Sequence, residues 1–142
     1  MNVTAYTLAQ RFVGIKEFAG AVDNPFIMSM LQLDTNWPQH DEVSWCSGFC
    51  NYVCWLLRLP RSKSLAARSW LHVGRPVGLH EATAGFDVAI LSRGDNPDSG
   101  HVGFYASWQA GRIWLLGGNQ DNSVSVKDFN AARVIGVRRL LG

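Results

Sequence analysis

The sequence is short of charge. Only 17% of its 142 residues are Asp, Glu, Lys or Arg, and the formal net charge is +2. A balance so mildly basic gives no footprint for nucleic acid, although it suits an anionic polymer such as a bacterial wall. A hydrophobic content of 47% sets the chain apart from disordered ones. No apolar run is long enough to span a membrane, so no membrane partner is expected. The first ten residues lack a basic stretch followed by an apolar core, so no secretory signal is expected either. Cysteine is scarce: three in all, at positions 46, 50 and 54. That odd, clustered set is not a disulfide framework. Repeats, low-complexity stretches and linkers are missing too. The length suits one domain with its own core, expected over residues 1–142.

What is present changes character half-way. Thr4 can cap a helix running to about Glu17, with Leu8, Phe12 and Ile15 on one face. Gly20 closes that region. Asn24-Pro25 reads as the N-cap and first position of a second helix carrying Phe26, Met28, Met30, Leu31 and Leu33. Asp34 to Glu42 reads as a loop. A third helix, from about Trp45 to Leu57, places Phe49, Cys50, Val53, Leu56 and Leu57 at helical spacing and should be the buried central one, ended by Pro60. Ser64 can cap a shorter helix through Trp70. Val73 to Gly85 looks irregular.

Strands dominate the rest. Phe86–Leu91, His101–Ala106, Arg112–Leu116, Ser123–Val126 and Arg133–Leu140 are each bounded by turn residues, with a hairpin turn at Gln109-Ala110-Gly111. Helices first and a mostly antiparallel sheet second predict an α+β domain with its helices on one side of the sheet.

Ser44-Trp45-Cys46 carries the chemistry. With Ser44 as N-cap, Cys46 falls in the first helical turn, where unpaired N–H groups and the positive helix end favour a thiolate, the nucleophilic form. Cys50 and Cys54 follow at steps of four down the helix and read as small core hydrophobes. A nucleophilic cysteine needs a base, and the base an orienting group. Of His40, His72, His80 and His101, only His101 opens a predicted strand directly after a turn. The order Cys…His is the papain-type order. The glycine-rich stretch Gly117-Gly118-Asn119-Gln120 ends the neighbouring strand, and Asn119 offers a side-chain carbonyl there, with Gln120 second.

Together these residues resemble the NlpC-type and CHAP (cysteine, histidine-dependent amidohydrolase/peptidase) cell-wall hydrolases of papain-like fold. The likeness is closest to a small phage-associated branch. The matching segments are Gly14-Ile15-Lys16-Glu17, Asp23-Asn24-Pro25, Glu42-Val43-Ser44-Trp45-Cys46-Ser47-Gly48-Phe49, Ala67-Arg68-Ser69-Trp70, Gly100-His101-Val102-Gly103-Phe104 and Leu116-Gly117-Gly118-Asn119-Gln120. The resemblance implies Cys46 as nucleophile, His101 as general base and Asn119 as the polar third residue. Many NlpC-type members have a second histidine at that third place, which this chain lacks; Gly48 stands where alanine is common. Trp45, Trp70 and Gln120 are expected to touch substrate, and Glu17, Asp23 and Asp41 are rim candidates.

The implied activity is cleavage of an amide in the peptidoglycan stem peptide, as an endopeptidase or an N-acetylmuramoyl-L-alanine amidase, with no cofactor or metal. The protein would be made in the cytoplasm and reach the periplasmic wall by another route, with a phage or secretion-system protein as carrier. The competing reading is a catalytically silent structural or binding module of the same fold. A metal site on the three cysteines is excluded by reach: at about 1.5 Å per residue their sulfurs spread over roughly 12 Å, against zinc–sulfur bonds near 2.3 Å.

Overall fold

The computed structural model describes residues 3–18, 23–35 and 44–141. Gly20, His40, Asp41, Glu42 and most of the expected 34–42 loop lie outside the described residues. Among the described residues three α-helices precede the sheet: α1 (Ala5–Gln10), α2 (Pro25–Leu31) and α3 (Cys46–Leu57). Six strands follow, β1 (Arg75–Val77), β2 (Asp87–Ser92), β3 (Gly100–Gln109), β4 (Arg112–Gln120), β5 (Ser123–Asn130) and β6 (Val134–Arg139). They form one sheet in the order β1-β6-β2-β3-β4-β5, every pairing antiparallel. The α+β architecture is the expected one.

Local chemistry sets the helix starts. Thr4 and Thr7 exchange side-chain and backbone hydrogen bonds at the head of α1, a capping box. Asn24 accepts from the Phe26 N–H, and Pro25 occupies the first turn of α2. The first helix is shorter than its apolar spacing predicts. Gly14 sits at φ +103°, outside the helical region, and its N–H bonds the Val124 carbonyl. Residues 14–17 therefore leave the helix to lie along the β5 edge, with Val124 N–H on the Ile15 carbonyl and a bridge from Lys16 to Ser123. Phe12 and Ile15 still pack on the core as expected.

The central helix α3 is buried along Phe49, Cys50, Val53 and Cys54. It packs on the Val102, Phe104 and Leu116 side of the sheet, with the Phe49 and Phe104 rings edge to face at 6.1 Å. It ends at Arg58, at φ +56°, with Leu59 N–H reaching back to the Cys54 carbonyl, before Pro60. The opposite sheet face carries a second, smaller core of Ala89, Leu91, Tyr105, Ile113, Leu115 and Val137.

Three further expectations are corrected. The N-cap of α3 is Trp45, without a side-chain cap bond, so Ser44 does not cap the helix. The helix after Ser64 is a 3₁₀ helix over Ala67–His72 with Ala66 at its N-cap; the Ser64 hydroxyl accepts from Ala66 N–H one step earlier. The irregular 73–85 stretch contains β1, a three-residue edge strand on β6. The hairpin at Ala110-Gly111 is as expected, both residues at positive φ. Among the described residues no helix is long and apolar enough to cross a membrane.

Candidate active site

The site forms where the start of α3 meets the start of β3. Cys46 opens the helix and His101 follows the first residue of the strand, each only 2% exposed. The His101 ring, the Val102 backbone and the Ser44 hydroxyl all lie close enough to the Cys46 sulfur to influence its ionisation. Burial pushes the thiol up, but His101, with the Val102 backbone and Ser44, outweighs it and holds Cys46 below the ordinary thiol range. Its sisters behave in the opposite way. Burial lifts Cys50 well above the ordinary value and pushes Cys54 up to about 12, against a small pull from Arg61. Three cysteines on one helix thus divide into one thiolate-prone group at its mouth and two inert ones in the core.

His101 is held on its far side. Its Nε2 lies 2.9 Å from Oε1 of Gln120. The Gln120 amide nitrogen donates to the carbonyls of Leu115 at 3.1 Å and Ser125 at 2.8 Å. Those carbonyls can only accept, so the amide must turn its oxygen to the imidazole. His101 Nε2 must then carry the hydrogen. With Nε2 so engaged, Nδ1 is the ring nitrogen left free of Gln120. The Phe129 ring packs against the imidazole, centroids 5.1 Å apart.

The backbone explains why Gln120 and not Asn119 takes this place. Leu115 belongs to the core on the His101 side and Leu116 to the core under α3. Strict alternation would turn Asn119 toward His101. The β4–β5 register instead shifts between Gly117 and Gln120, with Asn119 at φ +57°. This bulge reverses the alternation, so Gln120 points at the histidine. The two glycines make room. A Cβ on Gly117 would strike Gln120 Oε1, and one on Gly118 would come within 2.7 Å of the Trp45 indole. The Asn119 amide lies 3.4 Å from the Ser44 hydroxyl instead.

The expected aromatic contacts are corrected too. Trp45 and Trp70 are fully buried. The Trp45 N–H donates to Glu17 at 2.8 Å and the Trp70 N–H to the Ser47 hydroxyl at 2.8 Å. Both indoles wall the core beneath the site, and Glu17 is engaged by Trp45. His72 and His80 are exposed, unlike His101.

A cleft of about 150 Å³ opens beside Cys46, lined by Ser44, Ala67, Arg93, Asp98 and Gly100 among others. Two groups to which the motif reading assigned no role fix its walls. Arg68 donates to the carbonyls of Ser99 at 2.7 Å and Asn96 at 3.3 Å, tying down the loop before His101. Ser47 and Asn51 each donate to the Ser64 carbonyl, at 2.6 and 3.0 Å. A polar pair four residues apart on an otherwise apolar helix was the visible signal for the second. Among the described residues, no group of three His, Cys, Asp or Glu side chains is arranged to hold a metal.

No protein-family model matches the chain, and no curated protein matches it. Among solved structures it is similar to NlpC1 from Trichomonas vaginalis, with 22% sequence identity and a TM-score of 0.56. The match covers 96% of this chain and 42% of that one. The fold is NlpC-like. This chain therefore spans less than half the length of that neighbour. The NlpC-like scaffold places a helix-start cysteine beside a strand histidine, an arrangement able to generate a thiolate and to move a proton next to it.

Proposed function

We propose that the protein is a cysteine peptidase or amidase that cleaves an amide bond in the peptidoglycan stem peptide. One observation carries the reading: His101, its Nε2 held by the Gln120 carbonyl, lies beside Cys46 and lowers the pKa of its thiol. The NlpC-like fold and the sequence resemblance to wall hydrolases support the substrate class.

In this reading the Cys46 thiolate attacks the amide carbonyl carbon and the C=O electrons move to oxygen. The Cys46 backbone N–H, at the start of α3 and without a helical acceptor, is a donor for that oxyanion. The protonated His101 gives its Nδ1 proton to the leaving amine as the C–N bond breaks, leaving a thioester. His101 then takes a proton from water, whose oxygen attacks the thioester and releases the carboxylic acid and the thiolate. Gln120 accepts the Nε2 hydrogen throughout and keeps the ring from turning. The biological setting we favour is a phage-associated lytic role, with delivery to the periplasmic wall by a partner.

Mass spectrometry of soluble fragments released from purified peptidoglycan tests this reading and assigns the bond. New stem-peptide termini in wild-type digests, missing with Cys46→Ala, are expected. No release by the wild-type protein, or equal release by the variant, would leave a silent module of the same fold.

A further inference from the structure

The central helix α3 has an open cavity at its far end. Trp55 and Leu56 are 49% and 42% exposed, although Val53 and Cys54 just before them are fully buried. A cavity of about 450 Å³ lies beside them, lined by Trp55, Leu56, Arg58, Leu59 and Arg61. Trp55 follows Cys46 by nine residues. That places it about 14 Å along the axis and on the opposite helix face, so this cavity is separate from the cleft. The indole is held from below. Phe12, Phe26, Tyr52 and Trp55 form a ladder of rings with successive centroids 5.5, 5.5 and 5.9 Å apart. A ring fixed on one face and open on the other has little freedom to lose on binding. Arg58 supplies the uncompensated charge. Asp34 engages Arg61 through two hydrogen bonds, at 2.6 and 3.0 Å. Arg58 is exposed and has no carboxylate partner among the described residues. It sits at φ +56°, a left-handed conformation that helix ends usually give to glycine. A cation serving only the helix dipole could stand in the last turn without that strain.

We propose that this cavity is a second wall-binding site, in which a sugar ring of the peptidoglycan glycan strand stacks on Trp55 and a carboxylate of an uncleaved stem peptide meets Arg58. The inference rests on the wall-hydrolase reading for the identity of the polymer, and adds a contact outside the cleft. Three features select this occupant. The surface is concave, which suits an inserted ring and not a flat bilayer. Its exposed apolar part is two adjacent side chains, far short of the roughly 800 Å² per partner that a stable protein interface buries. Its free charge is positive, complementary to the carboxylates of an anionic polymer. The apolar C–H face of a sugar matches the indole, with Leu56 and Leu59 beside it. Cleft and cavity lie at opposite ends and on opposite faces of α3, so no small fragment fills both. A polymer network does, and the second contact then raises the effective concentration of stem peptides at Cys46.

The test is co-sedimentation of the full chain with purified insoluble peptidoglycan at low and high salt, in a Cys46→Ala background so that the wall stays intact. Cleavage of a soluble stem-peptide fragment by the same substitutions in the active chain is read in parallel, with Tm for each. Trp55→Ala is expected to weaken wall binding about three- to tenfold, and Trp55→Phe, which keeps a ring, much less. Arg58→Gly should weaken it about as much and flatten its salt dependence. The same variant should keep or raise Tm, because glycine accepts the positive φ; a role confined to the fold would move Tm and binding together. On the soluble fragment, kcat/KM should stay within about twofold of wild type for all three. Unchanged wall binding in Trp55→Ala or in Arg58→Gly would overturn the proposal, as would a protein that sediments with anionic lipid vesicles but not with walls. Binding to walls that depends on Trp55, with no cleavage of wall or fragment by the wild-type chain, would end the hydrolase reading and leave the binding site in place.

Discussion

His101 and Gln120 meet at 2.9 Å across two adjacent strands, and the amide is locked by two main-chain carbonyls on its other side. A ring held in this way has one fixed orientation beside Cys46. The dependence on Gln120 is therefore a dependence on orientation, separate from any charge it could add.

Gln120→Ala should cost far more activity than Asn119→Gly. The first removes the acceptor of His101 Nε2 and the donor to the Leu115 and Ser125 carbonyls, and a loss of about 10²-fold in kcat/KM is expected. It should also destabilise the fold by about 1–3 kcal/mol. Asn119→Gly leaves His101 held and should lose less than about tenfold. Steady-state kinetics on released fragments, with thermal unfolding alongside, decides between the two positions.

Much of the fold could be read from the chain, because capping and apolar spacing act locally. Thr4, Asn24-Pro25 and the Ala110-Gly111 hairpin carry their own signals. The length of α1 did not, because Gly14 leaves the helix for a carbonyl on Val124, far off in sequence. The strand at Arg75-Pro76-Val77 was hidden by its shortness and its proline, which an edge strand tolerates. In the candidate site, the juxtaposition of Cys46 with His101 was legible from residue type and order. The choice between Asn119 and Gln120 depends on a bulge, and one extra residue reverses every later side chain. The buried positions of Trp45 and Trp70 depend on how Glu17 and Ser47 fold against them, which spacing does not record.

Gly118→Ala should destabilise the protein. The added methyl carbon would lie 2.7 Å from the Trp45 ring and 2.8 Å from Cβ of Phe49, so α3 or the β4 bulge must move. A cost of about 1–3 kcal/mol is expected, read as a lower Tm. A Tm within a degree of wild type would contradict this packing.

Trp45→Phe and Trp70→Phe separate wall from contact. Each removes an indole N–H whose acceptor, half-buried Glu17 or buried Ser47, loses a partner. Both should lower Tm, by about 1–3 kcal/mol of stability, while KM for wall fragments stays near wild type. A raised KM at unchanged Tm would restore the indoles as substrate contacts.

Stability should fall as pH rises above the ordinary thiol range. Cys50 and Cys54 are held protonated in the fold, Cys54 up to about 12, whereas the unfolded chain releases those protons near pH 8.5. Above that value the unfolded state binds fewer protons, so folding stability declines until the folded thiols themselves ionise. Cys46 has the opposite sign: its folded value is lowered, so its contribution is present above the unfolded thiol value and is lost as pH falls through the folded one. Urea unfolding at pH 8 and pH 10 should show a lower midpoint at pH 10. The double variant Cys50→Ala/Cys54→Ala should show a smaller decline, and an equal one would contradict the assignment.

The most direct measurement is digestion of purified peptidoglycan by wild type, Cys46→Ala and His101→Ala, each checked for folding by circular dichroism. The expected result is release of stem-peptide fragments by the wild type, with a loss of at least about 10³-fold in both variants, because the pair acts as one unit. Full wall-cleaving activity in folded Cys46→Ala would contradict the account.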